Sequence, residues 1–325
     1  MTITKKLAHF VWNRSWIPQK FKRATYKQLS TKAGGPDAPF SIDFFGMRYE
    51  GNLNNSIEFN IFYYGAFEKP LLFFLRDTFT RLERATKNKL TKNLVFCDIG
   101  ANIGQHSIFM SAVAKEIHAF EPYPAVNVKL KHHIALNTLE NIILHELGLS
   151  NKDESLTFFA PTGRNQGIGS FDGDTVRKGN VDAGKLKLVK GDVYFQKQNI
   201  SNIGLVKIDV EGYEKLALSG LQETIEHNRP IIVCEVTYGK PLSFASRNEL
   251  LAHLPANYIL YCFNSRKPDG SKARRKDGRA RKSGKYQLTP FTKWQIEGQD
   301  DVIACPNEKL EQLSMKNLTQ TPDRA

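Results

Sequence analysis

The chain of 325 residues has only four cysteines, Cys97, Cys234, Cys262 and Cys305. No two stand at a zinc-ligand spacing, and each sits in an apolar run that reads as a strand. They are expected as reduced, buried thiols acting as small apolar side chains. No run reaches the ~18 apolar residues needed to cross a bilayer. Lys5, His9 and Arg14 interrupt the N-terminal segment before the apolar core of a signal peptide could form. These absences make the cytoplasm the expected location. Acidic residues are also scarce, 33 against 46 Lys and Arg, for a net charge of +13. The deficit is local. Residues 1–48 hold nine Lys/Arg against two Asp, and residues 266–285 hold ten against two. The rest of the chain is near neutral, so the basic character belongs to a tail and a loop. With 41% hydrophobic residues, the chain is long enough for one large core.

Residues 1–40 interleave basic residues with Phe10, Trp12, Trp16, Phe21 and Tyr26 and end at Gly34-Gly35-Pro36, which predicts short helices and then a loop. Residues 41–64 alternate loosely about an Asn-rich stretch and predict strands around a turn. Leu71, Leu75, Phe79 and Leu82 recur at helical spacing within 66–84. From residue 94 the pattern changes. Short apolar runs at 94–99, 117–120, 141–145, 205–210, 231–236, 258–263 and 302–305 alternate with helical stretches at 104–114, 124–137 and 213–227. Such alternation predicts an α/β fold with a mainly parallel sheet and helices on both faces. Residues 150–200 break the rhythm with strand-like pieces at 155–159 and 186–190 around a polar, glycine-rich loop. The expected organisation is a basic N-terminal extension over 1–65, an α/β domain over 66–310 with a basic loop insertion at 264–290, and a tail over 311–325.

The first strand of the alternation ends in Asp98-Ile99-Gly100-Ala101-Asn102-Ile103-Gly104. Glycines here let the backbone turn sharply and approach a ligand, and the start of the following helix favours a carboxylate. Asp98 would face an ammonium group. The second strand ends in Phe120-Glu121-Pro122, and an acid at that point binds ribose hydroxyls. The G-x-G-x-x-G of dinucleotide sites fails, because Asn102 and Gln105 occupy its second and third glycine positions. The cofactor these residues suit is S-adenosylmethionine, with Asp98, Gly100, Asn102, Gly104, Glu121 and Pro122 as its candidate contacts.

Seven segments stand in a characteristic order: CDIGANIGQHS (97–107), HAFEPYP (118–124), ALN (135–137), ELGLS (146–150), GIGSF (167–171), VKIDVEGYE (206–214) and RPIIVCEV (229–236). In this order they resemble the FkbM family of methyltransferases, over about half of the chain. The resemblance implies the seven-stranded, Rossmann-like class I methyltransferase sheet. It also implies O-methylation of hydroxyls on sugars, polysaccharides, glycolipids or related natural products.

Alternation along 206–211 places Lys207, Asp209 and Glu211 on one side of a strand, if the extended form persists to its end. Ligands of open α/β sheets bind beyond the carboxyl ends of the strands. Asp209 is the expected general base for an acceptor hydroxyl, with Glu211 and Glu235 orienting the acceptor and Lys207 either holding the carboxylates or stabilising a developing alkoxide. Asp209, Glu211 and Glu235 also suit a hard cation, but no histidine or further acid completes a motif, so no metal is expected. His106 is a candidate second base, and the loop 164–174 a candidate lid or acceptor-binding loop, with Ser170 as a candidate substrate contact. The basic segments suit a peripheral place on an anionic membrane surface at its inner face. RNA is the weaker alternative partner, because the Asp/Asn-Pro-Pro-aromatic run of base N-methylation is missing and only ribose O-methylation would remain. A non-enzymatic, cofactor-binding scaffold is the other alternative.

Overall fold

Phe45 and Gly46, both at positive φ (52° and 92°), join β1 (Pro39–Phe44) and β2 (Met47–Asn52) in an antiparallel hairpin. Such two-residue turns match the right-handed twist of the strands. The computed structural model describes residues 37–86, 94–162, 169–171, 173–240, 242–266 and 284–317, with short pieces between 7 and 24. The hairpin confirms the strands expected after residue 40, but residues 56–64 are helical. Asn55 ends the extended segment by accepting the N–H groups of Ile57 (2.9 Å) and Glu58 (3.2 Å). That cap, worth about 1 kcal/mol, starts α1 (Ser56–Tyr64), and Gly65 at φ 83° ends it. The helix α2 (Lys69–Thr86) follows and buries Leu71, Leu75, Phe79 and Leu82.

The alternating unit comprises β3 (Val95–Ile99), α3 (Gln105–Met110), β4 (Glu116–Phe120), α4 (Pro124–Leu136), β5 (Ile142–His145), β6 (Gly148–Ser150), β7 (Glu154–Pro161), β8 (Asn180–Lys190), α5 (Gly191–Lys197), β9 (Ile203–Ile208), α6 (Glu214–Ser219), α7 (Gln222–Asn228), β10 (Ile231–Thr237), α8 (Arg247–Ala252), β11 (Tyr258–Phe263), β12 (Leu288–Pro290) and β13 (Gln299–Pro306). The main sheet has the order β12-β11-β13-β10-β9-β3-β4-β5. Strands β5, β4, β3, β9 and β10 are parallel, and β13 is antiparallel to both its neighbours. The seven expected strands are therefore present, with the short β12 added at one edge. Strand order reverses between β3 and β9, so a crevice opens beyond their carboxyl ends.

Period-two alternation sends Phe96, Ile117 and Leu205 into a core under α2, α3 and α4. Val95, Cys97, Val206 and Ile232 enter a second core on the opposite face. Phe44, Tyr49 and Ile61, each at most 1% exposed, belong to the first core. The expected boundary at residue 65 thus does not separate two cores. All four cysteines are unbridged, and three are buried.

The helix expected over 213–227 is two helices. A Cβ on Gly220 would lie 1.9 Å from the Ser150 carbonyl oxygen, so the chain bends where it crosses β6. Asp192 then caps α7 by accepting the N–H groups of Glu223 (3.2 Å) and Thr224 (2.8 Å). The extra strands of 150–200 form their own sheet, β6-β8-β7. The tail docks on α2: Leu313 is buried, and Ser314 N–H donates to Thr78 Oγ1 at 3.3 Å. Most of the basic loop (267–283), part of the proposed lid (163–168) and the last eight residues lie outside the described residues.

Candidate active site

Gly100, Asn102 and Gly104 have φ of 79°, 53° and 82°, so the turn after β3 passes through the left-handed region three times in five residues. Gly100 and Ala101 both donate to the Phe120 carbonyl at 3.0 Å, and Asp209 N–H donates to the Ile99 carbonyl at 3.0 Å. The turn is thereby fastened to the ends of β4 and β9 together. A Cβ on Gly104 would meet Leu130 Cδ1 at 2.2 Å, so this glycine answers to packing on α4. It is absent from the lining of the cavity that opens here. That cavity, about 350 Å³, is lined by Gly100–Ile103, Phe120–Pro122, Lys207, Asp209–Glu211, Glu235 and others.

Glu121 takes its position from the parallel register that pairs Ile99 with Phe120. Its carboxylate accepts the N–H of Asn102 through Oε2 and of Tyr123 through Oε1, both at 2.8 Å. Burial pushes its pKa up to about 7. Each oxygen keeps a further lone pair. The neighbouring wall is apolar, with Leu149, Phe158 and Leu188.

Asp98 departs from its expected part. It is fully buried and does not line the cavity. Register places it beside Lys207, residue for residue, on adjacent strands. Ser107 Oγ donates to its Oδ2 at 2.7 Å, and Lys207 Nζ stands 3.4 Å from its Oδ1. The same ammonium donates to the Gly100 carbonyl (3.0 Å) and lies 3.4 Å from Asp209 Oδ2. Burial alone would lower the Lys207 pKa, but Asp209, Asp98 and Glu68 outweigh it and raise it. Lys207 therefore holds two carboxylates and the cofactor turn in one place, one of the parts expected of it.

Strand β9 ends at Ile208, so the alternation invoked for Asp209 and Glu211 does not continue. Both still reach the cavity, because Glu211 (φ 53°) and Gly212 (φ 97°) curl the chain back over it. A non-glycine residue in the left-handed region carries strain, which concentrates at functional sites. Glu211 has its pKa raised to about 8, by burial first and then by Asp209 and Glu214. Glu235 lies beside Asp209 as expected, one residue past the pair Cys234–Ile208. Burial and Asp209 push its pKa well above the ordinary carboxyl range. His106 lines the cavity with its Nε2 unpartnered, and burial and then Lys207 lower its pKa to about 4. Ser170 lines a second cavity, about 540 Å³, that shares Phe171, Glu211, Tyr213 and Gln299 with the first.

Several residues of the site escaped sequence reasoning. Ser56, Ile57 and Asn60 of α1, with Phe67 and Glu68, line the cavity from the N-terminal side. Gln105 fixes that side by accepting the Phe67 N–H (2.6 Å) and donating to its carbonyl (2.9 Å). Glu214 bonds back to the N–H groups of Val210 (3.0 Å) and Gly212 (2.9 Å). Its place at the end of VKIDVEGYE was the one signal available, and it reads equally as the first acid of a helix.

Residues 98–258 match the family model described as the methyltransferase FkbM domain. The chain is 28% identical to Methyltransferase 1 of Beauveria bassiana, covering 39% of this chain and 57% of that one. It is 26% identical to the hexuronic acid methyltransferase AglP of Haloferax volcanii, covering 43% and 54%. The chain thus spans a little over half the length of these curated relatives. Among solved structures, the methyltransferase FkbM from Methylobacillus flagellatus is similar with a TM-score of 0.38 at 15% identity, covering 70% of this chain and 48% of that one. A SAM-dependent methyltransferase from Agrobacterium tumefaciens is similar with a TM-score of 0.42 at 11% identity, covering 82% and 69%. The domain match begins at Asp98, takes in the glycine turn, Glu121 and the carboxylates from Asp209 to Glu235, and ends as β11 begins; residues 98–258 are an FkbM methyltransferase domain.

Proposed function

We propose that the protein transfers the methyl group of S-adenosylmethionine to a hydroxyl of a sugar, a glycolipid or polysaccharide, or a related natural product. The observation that carries this reading is one cavity at the sheet's switch point with Glu121 at one end and Asp209, Glu211 and Glu235 at the other. The residues fit the cofactor. Glu121 retains lone pairs for ribose hydroxyls, the Gly100 turn brings bare backbone to the cavity wall, and Leu149, Phe158 and Leu188 offer an apolar wall to an adenine ring. When bound, the cofactor supplies an electrophilic methyl group on a sulfonium sulfur.

The chain's own part is to orient the acceptor and receive its proton. A sugar hydroxyl is a poor nucleophile, and a carboxylate in hydrogen-bond reach typically contributes ~10²–10⁴-fold. Asp209 is that carboxylate in this reading. Lys207 holds it in place, and Glu211 and Glu235 line the cavity beside it. The relative named as a hexuronic acid methyltransferase supports a sugar as the acceptor class.

The first experiment is calorimetry with S-adenosylmethionine, S-adenosylhomocysteine and NAD. Binding of both sulfur compounds and not of NAD is expected, followed by methyl transfer in a glycan screen. Absence of binding would overturn the reading. The N-terminal segment adds a place for the reaction: Trp16 and Phe21 are 75% and 56% exposed beside Lys20 and Lys22, which supports peripheral attachment to an anionic membrane. Co-sedimentation with anionic but not neutral vesicles is the expected result. No helix of the described residues is long and apolar enough to cross a membrane.

A further inference from the structure

Asp209, Glu214 and Glu235 each bring a carboxylate oxygen within 4.8 Å of the other two. They come from the end of β9, the start of α6 and the end of β10, three chain segments gathered by the sheet's parallel register. An accumulation of acids is not in itself a site, but two of these are built in an unusual way. Glu214 is fully buried and Glu235 is 7% exposed, yet Oε2 of each has no hydrogen-bond partner. The other oxygen of each is fixed. Glu214 Oε1 accepts two backbone N–H groups, and Glu235 Oε1 accepts the Gln299 amide. Half of each carboxylate is thus anchored while the other half is left bare, and a bare buried carboxylate oxygen is costly unless something positive meets it.

The protein's own cations do not meet it. Among the described residues lining the cavity, Lys207 is the only lysine or arginine, and it is taken up by Asp98, Asp209 and the Gly100 carbonyl. A further buried polar atom, His106 Nε2 on α3, is also left without a partner around the same cavity. Glu68, Glu121 and Glu211 line the same cavity, so its acids outnumber its one ammonium before any cofactor binds.

We propose that Asp209, Glu214 and Glu235 form a binding site for one divalent cation of the oxygen-seeking class, such as Mg²⁺ or Mn²⁺, at the methyl-transfer end of the cavity. Such ions keep open positions for water or substrate oxygens when only a few carboxylates hold them. An acceptor hydroxyl in one of those positions gives up its proton more readily. The inference rests on the reading of this cavity as a methyl-transfer site, and it refines the part of Asp209, which becomes a ligand. Glu211 lines the same cavity outside the ligand set and receives the hydroxyl proton. The oxygen then forms its bond to the methyl carbon as the carbon–sulfur bond breaks, its electron pair staying on sulfur.

The test is titration of the full chain with MnCl₂, followed by the electron paramagnetic resonance of free Mn²⁺, with S-adenosylhomocysteine affinity measured on the same samples. One Mn²⁺ per chain, displaced by excess Mg²⁺, is expected. Glu235→Gln and Asp209→Asn should each weaken Mn²⁺ binding at least about tenfold, with thermal melts confirming that both variants fold. A chain that binds S-adenosylhomocysteine but no Mn²⁺ at about 1 mM overturns the inference and leaves the methyl-transfer reading standing. Mn²⁺ held equally by wild type and both variants also overturns it. Mn²⁺ binding without any S-adenosylhomocysteine binding upholds the cation site and overturns the reading of its role.

Discussion

Gly100 and the carbonyl oxygen of Asp209 are pressed together, so that a Cβ on Gly100 would lie 1.9 Å from that oxygen. The turn proposed to hold the cofactor and the loop that carries Asp209 are therefore one mechanical unit. We expect Gly100→Ala to cost more than about 2 kcal/mol, from the backbone clash added to its positive φ, and to abolish cofactor binding. Gly46→Ala is the control, since Gly46 has a similar φ and nothing within 4 Å. Thermal melts and calorimetry of the two variants decide it. Equal, mild losses would show that the contact relaxes freely.

Lys207→Met keeps the volume of the side chain and removes the charge that Asp98 and Asp209 share. A buried pair broken on one side typically loses about 3–5 kcal/mol. The expected result is a large drop in melting temperature, with partial recovery in the double variant Lys207→Met, Asp98→Asn. An unchanged melting temperature would mean that the ion pairs contribute nothing to the fold.

Glu121 yields a pH dependence of known sign. Its folded pKa, about 7, exceeds the ordinary 4.5 because burial penalises the charged form. The folded state thus keeps a proton that the unfolded chain releases. The stability this supplies is complete below about pH 4.5 and is lost as pH rises through 7, on the order of 3 kcal/mol in the free protein. Glu121→Gln should flatten that decline in a series of melts between pH 4.5 and 8. Glu121→Ala should weaken S-adenosylmethionine more than about tenfold if two hydrogen bonds to the ribose are lost. Unchanged affinity would remove Glu121 from the ribose site.

Asp209→Asn preserves shape and removes the charge. We expect cofactor affinity to be kept and turnover to fall at least about a hundredfold. Single-turnover kinetics on the identified acceptor provide the measurement, and near-normal turnover would strip Asp209 of any chemical part.

Deletion of residues 1–65 tests whether the N-terminal part is an appendage. Phe44, Tyr49 and Ile61 lie in the first core, and Ser56, Ile57 and Asn60 line the cavity. The truncated chain should be insoluble or melt without a cooperative transition. A cooperative melt with intact cofactor binding would show that the core closes without them.

What could be read from the sequence was the part that depends on near neighbours. The alternation from residue 94 onward gave the strands because apolar spacing registers burial directly. The glycine turn and Glu121 were legible because each lies at the end of a strand, where the fold presents ligands. Errors arose where a local signal was outweighed. The helix at 56–64 hid behind loose alternation and depended on the single cap Asn55. The break at Gly220 came from β6 passing beneath it.

The sequence by itself determined the class of fold, the order of its strands and helices, and most of the charged residues that reach the cavity, because period and spacing are properties of a continuous chain. Tertiary structure alone decided what those residues meet. Lys207 bonds to Gly100 across 107 residues of sequence, and Asp98 turns inward to the same ammonium because the β3–β9 register sets them side by side. Glu214 and Glu235, 21 residues apart, are brought with Asp209 to within 4.8 Å of one another, and each keeps one oxygen without a hydrogen-bond partner. Register is fixed by the packing of two cores on opposite faces of the sheet, and no stretch of the chain contains that information alone.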